Sequence, residues 1–252
     1  MPRFAANLSM MFNEVAFLDR FAAAAAAGFR GVEFLFPYEV SPDDIARRLA
    51  DNGLTQVLFN LPPGDWAKGD RGTASLPARA AEFTAGLATA VPYIRATGVK
   101  QVHMMAGLSD RSSPVHAGRY RDAVKEAAET LGPHGVDVLL EPINGRDMPG
   151  FFLNDFATAE KLIAELRLPN VKLQFDIYHR QILHGDVTKA LAAMMPVIGH
   201  VQTASVPMRH EPGTGELDDE FVFATLDRLG YPGWIGCEYR PRAGTEHGLG
   251  WF

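Results

Sequence analysis

Short apolar runs alternate with longer amphipathic stretches along the whole chain. The runs fall at residues 3–8, 31–36, 56–60, 101–105, 136–141, 171–176, 197–202 and 234–238. They are rich in Val, Ile, Leu and Phe without strict apolar–polar alternation, the pattern of strands buried on both faces. The stretches between them carry the 3.6-residue period and the punctuation of helices. Ser41, Pro42, Asp43 and Asp44 combine an N-cap hydroxyl, a proline at the first helical position and acids in the first turn. Gly28, Gly53 and Gly98 sit where three of these helices should stop. The expected helices cover 13–28, 41–53, 76–98, 114–131, 154–166, 186–197 and 218–230, with at most one helical turn in the tail. About eight strand–helix units of roughly 30 residues, with no linker between them, predict a single (β/α)8 barrel over residues 1–252. A doubly wound open sheet is the competing architecture. No Gly-x-Gly-x-x-Gly follows the first strand to support it.

The last four runs each end on an oxygen-bearing side chain: Glu141, Asp176, Gln202 and Glu238. A lone buried carboxylate costs several kcal/mol or is forced to protonate, so these groups require compensation. In a barrel, residues ending different strands converge at the βα-loop face. Four hard oxygen ligands without a thiolate suit Mg²⁺ or Mn²⁺ and suit Zn²⁺ poorly. His179 stands three residues after Asp176, close enough to contact a ligand of such a metal. Asp147 and Arg146 follow Glu141, and Arg209 and His210 follow Gln202. His103 and His200 lie inside strands and are expected to face the interior behind the ligands. The 61–75 connection is longer than usual and carries Trp66, Lys68 and Arg71. It fits a lid that presents a cation to an anionic substrate.

Composition narrows the classes further. The 252 residues are 47% apolar and 21% charged, with a formal net charge of −6. That charge disfavours nucleic acid and anionic membrane surfaces as partners. No apolar run approaches the roughly 18–20 residues of a membrane span, and the N-terminus lacks a signal-peptide pattern. The single cysteine, Cys237, excludes an internal disulfide framework and fits a reducing compartment, so a cytoplasmic location is expected. Strand alternation turns Cys237 toward the helix layer if Glu238 faces inward. Apolar residues in the 61–75 and 208–217 loops offer a contact for a second copy of the chain, a homo-oligomer.

The motifs together resemble a known family. Asn60–Trp66 with Lys68–Gly72, Glu141–Asn144 with Arg146–Pro149, Asp176–His179, and Arg209–Pro212 with Gly215–Leu217 are similar to hydroxypyruvate isomerase. That family includes the 2-oxo-tetronate isomerases within the xylose-isomerase-like barrels, and the resemblance runs from the first strand to the tail. It implies a divalent metal on Glu141, Asp176, Gln202 and Glu238, with Glu141 and Glu238 as the acid–base pair. It also implies that His179 contacts a substrate oxygen. Sugar epimerases that share the barrel commonly present histidine where this chain has Gln202, a departure that favours Mg²⁺ over softer metals. The implied reaction converts hydroxypyruvate to 2-hydroxy-3-oxopropanoate (tartronate semialdehyde) through an enediolate. The alternatives on the same barrel are 2-oxo-tetronate isomerisation and ketose 3-epimerisation. Arg71, Lys68, Arg209 and Arg240 compete for the carboxylate of the small hydroxy- or oxo-acid substrate. Metal-dependent DNA cleavage would need a basic groove and a histidine-rich zinc site. A sugar-acid binder without turnover is the non-catalytic alternative.

Overall fold

The computed structural model describes residues 2–252. Its strands are β1 (Arg3–Asn7), β2 (Gly31–Glu33), β3 (Thr55–Asn60), β4 (Gln101–His103), β5 (Asp137–Leu140), β6 (Val171–Asp176), β7 (Ile198–Thr203) and β8 (Trp234–Cys237). They pair in parallel, each with its neighbours in sequence, and β8 closes on β1. The helices are α1 (Arg20–Ala26), α2 (Pro42–Asp51), α3 (Ala80–Thr97), α4 (Pro114–Leu131), α5 (Phe156–Leu166), α6 (Ile177–Leu183), α7 (Val187–Met194) and α8 (Asp219–Arg228). This is the expected (β/α)8 barrel. No helix among the described residues is long and apolar enough to cross a membrane.

The main core lies between the barrel and the helices, where Phe21, Phe29, Phe34, Phe59, Phe156 and Phe175 are fully buried. Each such side chain stabilises the fold by about 1.5–3 kcal/mol through area removed from water. A separate small cluster of Ala5, Val57, Leu58 and Leu139 packs with Trp234. Leu139 alternates with Val138 and Leu140 of the main core, so it points into the barrel and forms part of its floor. Cys237 joins the main core, on the helix side of its strand.

Local signals explain most of the boundaries. Ser41 Oγ accepts the Asp44 N–H at 3.1 Å, as the start signal of α2 requires. The first helix starts later than expected, with a 3-10 turn at Phe17–Asp19 before α1. Asn13 is not its cap, because its amide donates to the Met10 carbonyl at 2.8 Å. Glu14 instead accepts the Thr245 N–H at 2.6 Å, tying the first βα loop to the tail. The tail is a longer 3-10 segment, Glu246–Trp251, rather than a single turn. Its aromatic end packs on the barrel, with Phe252 stacked on Phe29 at 4.4 Å. After β6 an additional helix, α6, precedes the expected one, which begins at Val187. Its cause is Asp176, whose Oδ1 accepts the His179 N–H at 3.2 Å and so starts a helix directly at the strand end.

The 61–75 loop is strapped to the end of β4. The Leu61 N–H donates to the His103 carbonyl at 2.9 Å, and the Ser75 N–H donates to the Ala106 carbonyl at 2.8 Å. Gly72 passes so close that a Cβ there would lie 2.2 Å from the Met105 carbonyl oxygen, and its φ is +106°. Only glycine meets both conditions. Gly72→Ala should therefore lower the free energy of unfolding by about 2 kcal/mol or more in urea titrations, at an unchanged m-value. An alanine variant as stable as the wild type would mean that the loop is not held by this approach.

Candidate active site

Barrel closure brings the four expected side chains to one face. Asp176 is the last residue of β6, Gln202 lies in β7, and Glu141 and Glu238 each follow the last residue of their strand by one. All four are buried. In register, Asp176 lies beside Gln202, and Gln202 lies beside Gly236. The cap made by Asp176 does more than start α6. It sets His179 in the first helical turn, so that the imidazole returns over the carboxylates. His179 Nε2 lies 3.8 Å from Glu141 Oε1 and 3.7 Å from Asp176 Oδ2.

Arg209 is the cation at the centre. Its Nη2 is 3.2 Å from Glu238 Oε1 and 3.5 Å from Asp176 Oδ2, and its Nη1 is 3.8 Å from Asp147 Oδ2. Its guanidinium also lies 4.9 Å from the Tyr178 ring centre. The backbone reaches this point through a positive φ of 57° at Arg209, uncommon for a residue with a side chain. Asp147, at the edge of the group, accepts from Asn144 Nδ2 at 3.1 Å.

Gln202 is held from behind by a residue that the strand-end pattern does not mark, Glu33. Gln202 Nε2 donates to Glu33 Oε1 at 2.8 Å, while Gln202 Oε1 accepts from Gln174 Nε2 at 2.6 Å. Glu33 also accepts from Asn7 Nδ2 at 3.0 Å and hydrogen-bonds His200 Nε2 at 2.7 Å. His200 thus faces the interior, as expected. Glu33 extends across the barrel into space that Gly236 leaves open: a Cβ at 236 would lie 2.2 Å from Glu33 Oε2. Glu33 escapes the strand-end criterion because Phe34, Leu35 and Phe36 continue its apolar run. The detectable signal was a carboxylate inside such a run, the same desolvation argument that marks Glu141.

Burial dominates the electrostatics. It raises Glu141 well above the usual carboxylate range, with Glu238 and Asp176 adding to the effect. It also raises Asp176, against the pull of Arg209. Glu238 is pushed up to about 8 by burial, with Arg209 opposing and Asp176 and Glu33 reinforcing. Burial drives His103 down to about 3 and holds His179 well below the ordinary histidine value, where Arg209 adds to it. Both rings are therefore neutral near pH 7. The 3.4 Å approach of His103 Nδ1 to Glu141 Oε2 is a contact between a neutral ring and a carboxyl group, not an ion pair.

The donor set fits a divalent cation. Glu141 Oε1 and Asp176 Oδ2 are buried without a hydrogen-bond partner among the described residues. One carboxylate oxygen from each of these two residues and a His179 nitrogen lie within 4.8 Å of one another. Arg209 approaches Asp176 Oδ2 at 3.5 Å, whereas no Arg or Lys forms an ion pair with Glu141 Oε1 among the described residues, and a buried carboxylate oxygen in that state is expensive unless a cation meets it.

Above this group opens a cavity of about 1050 Å³, lined among others by Asn60, Trp66, Arg71, Tyr178, His179 and Arg240. Arg71 stacks over Trp66 at 3.8 Å, so the loop does hold a cation at the cavity wall. Lys68 does not line it: its side chain is 84% exposed and paired with Asp65 at 2.8 Å. Arg240 is exposed at the rim, beyond the end of β8, so strand alternation does not set its direction.

The raised Glu238 value has a definite sign for stability. A carboxyl that holds its proton up to about 8 when folded, against about 4.3 unfolded, stabilises fully below the unfolded value and loses this as pH rises through the folded value. In chelator, wild-type protein should therefore lose more stability between pH 5 and pH 8 than Glu238→Gln, by thermal unfolding at each pH. Parallel curves for the two proteins would contradict the assignment.

Comparison with known proteins places the chain. The model of the xylose isomerase-like TIM barrel family matches residues 21–252. A 2-oxo-tetronate isomerase from Cupriavidus necator is 54% identical, covering 100% of this chain and 97% of that protein. The hydroxypyruvate isomerase of Escherichia coli is 44% identical over 100% of this chain and 98% of its own length. A crystal structure described as an AP endonuclease, family 2, from Brucella melitensis superposes with a TM-score of 0.97 at 50% identity, covering 100% of this chain and 98% of that one. The chain belongs to the xylose isomerase-like TIM barrels, within the group that contains the hydroxypyruvate and 2-oxo-tetronate isomerases.

Proposed function

We propose that this isomerase moves a carbonyl by one carbon in a short 2-oxo acid, converting hydroxypyruvate to 2-hydroxy-3-oxopropanoate with Mg²⁺ as its cation. The observation that supports the reading best is the convergence of three buried carboxylates, Glu141, Asp176 and Glu238, on one guanidinium beneath an open polar cavity. The similarity to two named isomerases over the full chain supports the same chemistry. The four-carbon substrate class is the second reading. It is favoured by the 54% identity to a 2-oxo-tetronate isomerase and by a cavity of about 1050 Å³, ample for the longer acid.

The reaction needs a proton to leave the carbon bearing one hydroxyl and to return to the neighbouring carbon. Glu141 and Glu238 are suited to it because burial raises both, Glu238 to about 8, so that each is a stronger base than an exposed carboxylate. Glu238 adds to the rise of Glu141, so the two titrations are linked. His179 and Arg209 meet the substrate's oxygens, and Arg71 and Arg240 at the cavity wall are placed for its carboxylate. A cation held by Glu141, Asp176, Gln202 and Glu238 would supply Lewis-acid stabilisation of the negative charge that develops on those oxygens. The stacked Trp66–Arg71 pair forms part of the cavity wall.

DNA cleavage is the poorer fit, despite the endonuclease name carried by the Brucella structure. The chain carries a net charge of −6, and the interior of the site is carboxylate-rich rather than histidine-rich.

Glu141→Gln should lower kcat by about 10²-fold or more with the circular dichroism and melting profile of a folded protein. Wild-type turnover in that variant would remove Glu141 from the chemistry. For the reaction itself, proton NMR of hydroxypyruvate in D₂O with Mg²⁺ should show chelator-sensitive product with deuterium at the new C–H. Full retention of substrate hydrogen would point to a shielded proton transfer or a hydride shift, and would overturn a proton carried in exchange with solvent.

A further inference from the structure

His179 belongs to two arrangements at once. Its Nε2 lies within reach of Glu141 and Asp176, in a group able to hold a metal ion, yet it also faces the cavity where substrate would bind. Which role it takes depends on one proton. A histidine that ligates a metal through Nε2 must leave that nitrogen bare and carry its proton on Nδ1, where a carboxylate or carbonyl normally receives it.

The surroundings of Nδ1 impose the opposite arrangement. Asn144 Oδ1 accepts two backbone N–H groups, from Arg146 and from Asp147, each at 2.9 Å. Those two donors fix the orientation of the amide, because a reversed amide would set NH₂ against N–H twice. Nδ2 must then be the atom that reaches Asp147 Oδ2 at 3.1 Å and His179 Nδ1 at 2.6 Å. The backbone N–H of Asn144 also points at Nδ1, at 3.4 Å, and a backbone N–H cannot accept. Nδ1 is therefore faced by donors alone. Both residues are buried, so no solvent relieves the conflict that a proton on Nδ1 would create.

We infer that Asn144 is a positioning residue: it locks His179 in the Nε2–H tautomer, keeping the ring out of the metal shell and making it a fixed N–H donor to the substrate's oxygen. The inference builds on the isomerase reading for the last clause only. The tautomer and its cause stand on geometry, and the arrangement explains why the loop after β5 turns back on itself: the turn at 144–147 is what points the amide at the ring. It also assigns the metal to oxygen ligands alone, with Asp176 serving both as ligand and as the cap that delivers His179.

The test is nitrogen-15 NMR of histidine-labelled protein, with the His179 signals assigned by their loss in His179→Gln. The expected result is a pyrrole-like shift with an attached proton at Nε2 and a pyridine-like shift at Nδ1, both with chelator and at saturating Mg²⁺. A proton on Nδ1, protons on both nitrogens, or loss of the Nε2 proton on adding Mg²⁺ would each overturn the inference. This readout needs no turnover, so it stands or fails independently of the substrate assigned. Asn144→Asp replaces the donor with an acceptor. It should move a proton onto Nδ1, tighten Zn²⁺ relative to Mg²⁺ by about tenfold or more in calorimetry as imidazole gains a free nitrogen, and lower kcat by about 10²–10³-fold, the usual cost of one lost hydrogen-bond donor. An unchanged His179 spectrum in folded Asn144→Asp would show that Asn144 does not set the tautomer.

Discussion

Negative charge packed where water cannot reach it is the constraint on which the rest of this molecule depends. Glu141, Asp176 and Glu238 are brought together by the closing of the barrel, and the guanidinium that lies among them is that of Arg209. Fully ionised, the three carboxylates would exceed that cation by two charges, the deficit that one divalent ion cancels. Without such an ion the protein responds by holding protons, which is why all three acids are shifted upward. A carboxylate that is costly to ionise is also a stronger base, one that takes a proton readily. The strain of the crowded acids and their fitness for proton transfer are thus the same property seen under two conditions.

Two side chains of the site, His179 and Gln202, are held in place by residues behind them. Asp176 caps α6 and orients His179, Asn144 fixes that ring from the other side, and Glu33 fixes Gln202. Glu33 is itself held by Asn7 and His200 from β1 and β7. Hydrogen bonds of this kind restrict rotamers and proton positions more than they add stability. The bonds from Glu33 to His200 and Gln202 run between β2 and β7, which are not neighbours, so the barrel acts as a frame in which distant parts of the chain hold one another. The first βα loop and the tail do the same at the rim, through Glu14 and Thr245.

The barrel was legible because its evidence is periodic and repeated: eight apolar runs, seven of them followed by helix signals, outvote any single error. Strand-end acids were legible for a different reason, since a charge at the end of an apolar run has no cheap explanation. What escaped depends on contacts between residues far apart. Glu33 interrupts its run from within, and nothing nearby reveals His200 and Gln202 waiting across the barrel. Asn144 was visible as part of a motif, but its meaning requires knowing that His179 lies against it. The helix α6 was hidden because Asp176 was read as a strand end alone, whereas its carboxylate is also a helix cap. Lys68 and Arg71 show the limit of loop reading: the residues stand three apart, yet one faces solvent and the other the cavity wall.

Gly236 is easily passed over as one more glycine in a strand. Its missing side chain is the volume that the Glu33 carboxylate occupies, with a hypothetical Cβ only 2.2 Å from Oε2. The two positions therefore form a single unit of inheritance. Among descendants of this chain, a larger residue at 236 is tolerable only alongside a shorter one at 33, and the shorter one releases the amide of Gln202. A lineage that exchanged this glutamine for another ligand would no longer need the glutamate, and the glycine would then be free to vary.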